Sequence, residues 1–129
     1  MYYNISMFNR HESRQKLIFV LYQHLLLHKD IDVCFADNFT DEDEFSLTII
    51  NDIKINKDNY IDEISKYLNK WSFDRLNLIE QAILLESISE YKLALNDKAV
   101  IINEAVIFAK EYCDDESYKY INGVLDNIC

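Results

Sequence analysis

Few residues in this chain stand at spacings that metal or acid-base chemistry can use. His24 and His28 are four apart and could grip a metal from one helix face. Leu25, Leu26 and Leu27 separate them, and no H-E-x-x-H arrangement is present. A packing role for His24 and a favourable charge at a helix C-terminus for His28 are the simpler reading, so no metal is expected. Glu86 and Glu90 are also four apart, but without the Glu-x-x-His of di-iron bundles they read as a solvated face. Cys34, Cys113 and Cys129 form no C-x-x-C pair and read as reduced thiols. Cys113 precedes Asp114-Asp115-Glu116, which would raise its pKa rather than activate it. No Ser-His-Asp arrangement emerges from spacing. No catalytic residue and no cofactor are expected, and the chain reads as a non-enzyme.

Two clusters remain, and both suit a polyanion. Arg10, His11, Arg14 and Lys16 form the basic cluster, with Arg10 and Arg14 on one helix face. Cations at a helix start oppose the dipole, so a functional reason stands beside the ordinary reading of a charged helix start. Ser117-Tyr118-Lys119-Tyr120 interleaves aromatics with a lysine, a combination that holds single-stranded RNA, and equally suits tyrosines half-buried in the bundle. The formal charge is −10, from 13 Lys and Arg against 23 Asp and Glu. Between Asp30 and Glu63, eleven acids face only Lys54 and Lys57. Since phosphate binding is driven by Lys and Arg, a nucleic-acid site should be small and lie near the N-terminus.

The elements that must position these clusters are helices. The 129 residues include one Gly and no Pro, where an average chain of this length carries roughly 9 and 6. Glycine-rich phosphate or dinucleotide loops and turn-dense β folds are thereby excluded. Leu17 to Leu27 is apolar almost all round and reads as a helix central to a bundle, entered near Asn9 or Arg10. A short segment over 30–39 follows. Thr40 is placed to cap a helix carrying Phe45, Ile49, Ile50 and Ile53, and Asn56 to cap another with Tyr60, Ile64 and Leu68. Ser72 or Asp74 would start a helix with Leu76, Ile79, Ile83, Ile88 and Tyr91 inward. Val100–Tyr112 and a helix from about Glu116 complete a compact all-α bundle of about seven helices. Gly123 falls inside the last helix, where glycine costs about 1 kcal/mol relative to alanine. Close approach of a neighbouring helix is the expected reason. No secretory signal is evident, and the apolar run ending at Leu27 is too short to span a bilayer. A cytoplasmic location is expected, with no membrane contact.

The C-terminal half closely resembles the signature of the NusB transcription antitermination family. The residues that carry it are Ile102-Asn103-Glu104-Ala105-Val106, Ala109-Lys110-Glu111-Tyr112 and the run from Ser117 to Asp126 that contains Ile121-Asn122-Gly123-Val124-Leu125. Trp71-Ser72-Phe73-Asp74-Arg75-Leu76 and Ala82-Ile83-Leu84 are similar to the family's W-x-x-D-R-[LI] and A-I-L-R segments. Arg10, Arg14 and Leu21-Tyr22-Gln23 are similar to its arginine-rich first helix. The departures are His11, Glu12 and Lys16 among the expected arginines, Leu85 in place of an arginine, and no proline before Ile102.

The resemblance implies a seven-helix fold of two small antiparallel bundles, divided here at about 1–56 and 57–129. It implies a transcription antitermination factor that binds boxA-type RNA of nascent ribosomal transcripts with the ribosomal protein NusE, within an RNA polymerase antitermination complex. It also allows a homodimer. RNA-binding positions carried over are Arg10, His11 and Arg14, with Glu116, Lys119 and Tyr120 on the second patch; Lys16 joins them on charge. The competing reading is an acidic helical protein-interaction module with weak or no RNA binding. A regulatory domain of an RNA methyltransferase is a third, disfavoured by the missing glycine-rich loop.

Overall fold

A computed structural model describes residues 9–39, 43–69 and 72–129. Thr40 and Trp71 lie outside the described residues, as does the segment before Asn9. Within them the chain forms six α-helices, one 3-10 turn and no strand. These are α1 (Arg10–Leu27), α2 (Ile31–Asn38), α3 (Glu44–Ser65), α4 (Leu78–Lys92), α5 (Lys98–Tyr112) and α6 (Asp115–Ile128), with the 3-10 turn Phe73–Arg75 before α4.

Local chemistry explains most boundaries. Asn9 caps α1 by accepting from the Glu12 amide at 2.8 Å. Asp30 caps α2 and Asp114 caps α6 in the same way. Asn77 and Glu80 form a reciprocal capping box at α4: the Glu80 amide donates to Asn77 Oδ1 (2.8 Å), and the Asn77 amide donates to Glu80 Oε1 (3.1 Å). Turns that usually take glycine are made without it. His28 closes α1 at φ 54° and Ala94 follows α4 at φ 56°, both left-handed.

Two boundaries differ from expectation. No helix starts at Asn56, because α3 runs 22 residues without a break. Asn56 donates instead to the Asp52 carbonyl (3.2 Å) and carboxylate (2.9 Å) within that helix. An expected division near 56/57 therefore falls inside one rigid rod. The start expected at Ser72 or Asp74 yields only the 3-10 turn, and the capping box delays α4 to Leu78.

The central helix is α4, not α1. Every residue from Gln81 to Glu90 is buried, since α1, α3, α5 and α6 all pack around it. The apolar end of α1 instead reaches the surface, with Leu26 46% and Leu27 60% exposed. Several polar groups inside this core pair across helices, while Glu86 Oε2 is buried without a hydrogen-bond partner. Asp52 Oδ2 accepts from Tyr60 Oη and from Ser89 Oγ, each at 2.7 Å, joining α3 to α4. Among the described residues no helix is long and apolar enough to cross a membrane.

Gly123 is exposed, and a Cβ built there meets nothing within 4 Å. The expected close helix approach is absent, so packing does not account for this glycine.

Candidate nucleic-acid interface

The first turns of α1 meet the C-terminal end of α4. Arg14, expected as a phosphate contact, lies 3% exposed. Its guanidinium forks onto Glu90, with Nε 3.0 Å from Oε2 and Nη2 2.6 Å from Oε1, and its Nη1 donates to Glu104 Oε1 at 3.0 Å. Asn96 also donates to Glu90 Oε1 at 2.8 Å. The expected solvated face of Glu86 and Glu90 is in fact interior, at 3% and 0% exposure. Burial, then the neighbouring Glu90 charge, lifts the Glu86 carboxyl well above the ordinary range, and a protonated Glu86 donates to Glu90. Burial works against the Glu90 charge, but the hydrogen bonds from Arg14, Glu86 and Asn96 outweigh it and hold Glu90 below that range. Helical spacing put Glu86 and Glu90 on one face; it carried no sign that α4 would be enclosed.

Arg10 remains exposed, its guanidinium 4.1 Å from the Phe45 ring centroid. His11 stacks on Phe108 (centroids 4.8 Å apart, planes at 12°) and its Nδ1 lies 3.1 Å from Glu104 Oε1. Lys16 Nζ lies 5.4 Å from the Phe39 ring centroid. Arg10, His11 and Lys16 therefore present polar groups around the outer side of α1, while Arg14 braces it from within.

The second patch lies at the opposite end of α4. Glu116 and Lys119 are exposed and Tyr120 is half-buried. With Arg75, Leu76, Asn77, Glu80, Asp114 and Ser117 they line an open pocket of about 560 Å³. Glu80 ties the two helix starts together: Oε1 closes the α4 capping box, and Oε2 accepts from Ser117 Oγ at 2.5 Å. The Tyr120 hydroxyl is buried without a hydrogen-bond partner, and burial, then the Glu80 charge, raises its pKa. Cys113 is raised to about 11, by burial first and then by Glu80 and Asp114, so the acidic run contributes less than enclosure does. Arg75 is the cation that sequence reasoning missed. Its signal lay in Trp71-Ser72-Phe73-Asp74-Arg75-Leu76, the segment similar to the family's W-x-x-D-R-[LI], which was read for resemblance and not for charge.

The two patches do not touch. Glu80 and Glu90 mark their positions on α4, ten residues or about 15 Å apart along the axis. Both ring nitrogens of His24 have partners within the chain. His24 Nδ1 lies 2.6 Å from the Lys29 carbonyl oxygen, and Lys57 Nζ lies 3.0 Å from His24 Nε2. Part of the acidic stretch is neutralised by Lys29–Asp37, Lys54–Asp32 and Lys92–Glu63 pairs.

A family model described as the NusB family matches residues 11–129. The chain belongs to the NusB family. It is 36% identical over 129 residues to the transcription antitermination protein NusB of Sulfurovum sp. (strain NBC37-1), covering 95% of this chain and 98% of that one. Identity is 39% over 127 residues to the NusB of Macrococcus caseolyticus (strain JCSC5402), covering 93% and 95%. Among solved structures, T. maritima NusB superposes with a TM-score of 0.88 at 29% identity, over 95% of this chain and 92% of that one. A structure of the antitermination factors NusB and NusE in complex with dsRNA shares the fold, with a TM-score of 0.81 at 23% identity over 92% and 94%. The NusB fold thus holds both patches here: α1 and α6 supply the expected residues, and α4 sets their separation.

Proposed function

We propose that this NusB-family protein is a non-enzymatic antitermination adaptor that binds boxA-type single-stranded RNA of nascent ribosomal transcripts. The observation that carries the reading is the pocket between the starts of α4 and α6. There Arg75 and Lys119 supply positive charge, and Tyr120 supplies a ring beside them. Single-stranded RNA is held by cations along the backbone and aromatic faces under the bases. Arg10, His11 and Lys16 form the second contact area, and Arg14 is removed from it by its burial. Glu116 flanks the pocket and restricts the approach of a phosphate.

Four cations at the surface set a low ceiling on affinity. Arg10, Lys16, Arg75 and Lys119 correspond to a slope of log K against log salt of about −2 to −3. A second protein that adds contacts is therefore physically sensible, and NusE is the partner this reading assigns, within a complex on RNA polymerase. The NusB relative held with NusE and dsRNA supports this assignment. The test is titration of a boxA-type RNA at several salt concentrations, with and without NusE. Binding that tightens with NusE and weakens in Lys119→Ala and Arg75→Ala supports the reading. No binding in either case, or binding indifferent to both substitutions, overturns it.

A further inference from the structure

Gly123 is the one glycine of the chain and stands well inside α6, yet no packing contact uses it. A Cβ at this position meets nothing within 4 Å, and the residue is exposed. The backbone makes no demand either, since Gly123 does not adopt a positive φ. A helix disfavours glycine by about 1 kcal/mol against alanine, so the fold alone selects against it. What the missing side chain provides is access to the main chain from outside. Asn127 shows that access, because its Nδ2 donates to the Gly123 carbonyl at 3.0 Å.

Gly123 also lies between two open surfaces. Lys119, Gly123 and Asp126 are spaced i, i+4 and i+7 and so share one face of α6. Lys119 lines the pocket at the start of α4, whereas Asp126 lines a groove of about 560 Å³ between α5 and α6. Ala99, Ile102 and Val106 give that groove an apolar wall, with Asn103 and Asn122 beside them. Val100 and Ile107 extend the exposed aliphatic surface of α5, at 41% and 38% exposure. A side chain at position 123 would stand on the ridge that joins pocket to groove. Glycine keeps that ridge low.

The chemistry of the groove selects its occupant. Its lysine, Lys98, is already matched by Asp126 at 3.0 Å, and an aliphatic wall offers nothing to a phosphate backbone. A protein segment fits better. Exposed aliphatic groups gain from apolar cover, the asparagines can hydrogen-bond a main chain, and a net charge of −10 favours a cationic partner. We propose that the α5–α6 groove and Gly123 form the docking surface for a cationic protein partner, whose main chain crosses α6 at the glycine. This rests on the reading above that assigns a protein partner, and gives that partner a location. It also gives a physical reason for the partner to tighten RNA binding, because a segment seated there lies beside Lys119 and its pocket.

The experiment measures NusE binding by calorimetry with the full chain and its Gly123→Gln and Ala99→Gln variants. Thermal unfolding and titration of boxA-type RNA alone accompany it. Gly123→Gln should fold at least as stably as the wild type, since its side chain enters open space. Its affinity for NusE should fall about tenfold or more, the cost of forcing a side chain into a close contact. Ala99→Gln, on the α5 wall, should weaken NusE binding in the same direction, and it carries the test if Gly123→Gln loses its fold. RNA binding without NusE should stay at the wild-type level in both. NusE binding unchanged by both substitutions overturns the docking surface and leaves the RNA reading intact. RNA binding lost in Gly123→Gln while NusE binds normally assigns the glycine to RNA and overturns the proposal. A wild-type dimer that Gly123→Gln disperses, with NusE binding normal, assigns this face to a second copy and overturns it equally. No NusE binding by the wild type overturns the partner assignment together with its surface.

Discussion

The two ends of α4 are built from the same kinds of side chain and put them to opposite use. At its C-terminal end, Arg14, Glu86 and Glu90 are enclosed; both oxygens of Glu90 accept from Arg14 Nε and Nη2, and Arg14 Nη1 donates to Glu104. At its N-terminal end, Arg75, Glu116 and Lys119 line an open pocket, while Asn77, Glu80 and Asp114 are spent on capping the helix starts. Enclosure makes the difference. Inside, a charge must be matched at once because desolvation is expensive. At the pocket, water satisfies the cations until a ligand replaces it. An arginine in a basic cluster is thus no guide to binding until its exposure is known.

The sharpest way to break this contrast is to treat Arg14 as a surface residue. Arg14→Ala strands Glu90 in the core and should cost about 3–5 kcal/mol of stability by urea denaturation, whereas Lys119→Ala should leave the unfolding midpoint nearly unchanged. Equal midpoints for both would erase the distinction between the two ends. For RNA the order reverses. Lys119→Ala should shrink the salt slope by about 0.7, one phosphate contact on a single strand, with a slope equal to wild type as the contrary result.

A pH series sharpens the same contrast. Glu86 stays protonated in the fold where the unfolded chain has already ionised it, so its contribution falls as pH rises above about 4.5. Glu90, held low, contributes stability above its unfolded value and loses it as pH falls through the folded one. Glu86→Gln should therefore flatten the decline on the neutral side while leaving the acid limb in place. Unfolding curves from about pH 3 to pH 8 decide it, and an unaltered neutral limb would show that Glu86 ionises freely.

The smallest effects concern the backbone. Gly123→Ala should stabilise α6 by about 0.5–1 kcal/mol, since the new methyl meets open space and glycine is entropically poor in a helix. Ala94→Gly should gain about 1 kcal/mol by relieving a left-handed residue at φ 56°. Thermal unfolding reads both, and a loss of stability in either would contradict the local geometry.

Helix content, the start of α1 at Asn9, the short α2 and both candidate patches were legible from composition, spacing and capping residues, because these signals act within a few residues. The motifs running from Ile102 to Asp126 carried the family resemblance for the same reason: they are contiguous. Long-range enclosure was not legible. Leu17 to Leu27 looked like the central helix because it is the most apolar stretch, yet α4, with two glutamates and two serines between Gln81 and Glu90, is the one surrounded. Several of its polar groups are paired there by Arg14, Asn96 and Asp52, brought from three other segments. Periodicity shows which residues share a face, but whether water or protein covers that face is settled only when the other helices arrive. The sequence by itself determined an all-α NusB-family chain with a basic cluster on α1 and an aromatic-cationic one on α6. Tertiary structure alone decided that Arg14 braces the core, that Arg75 joins Lys119, and that His11 stacks on Phe108 beside Glu104.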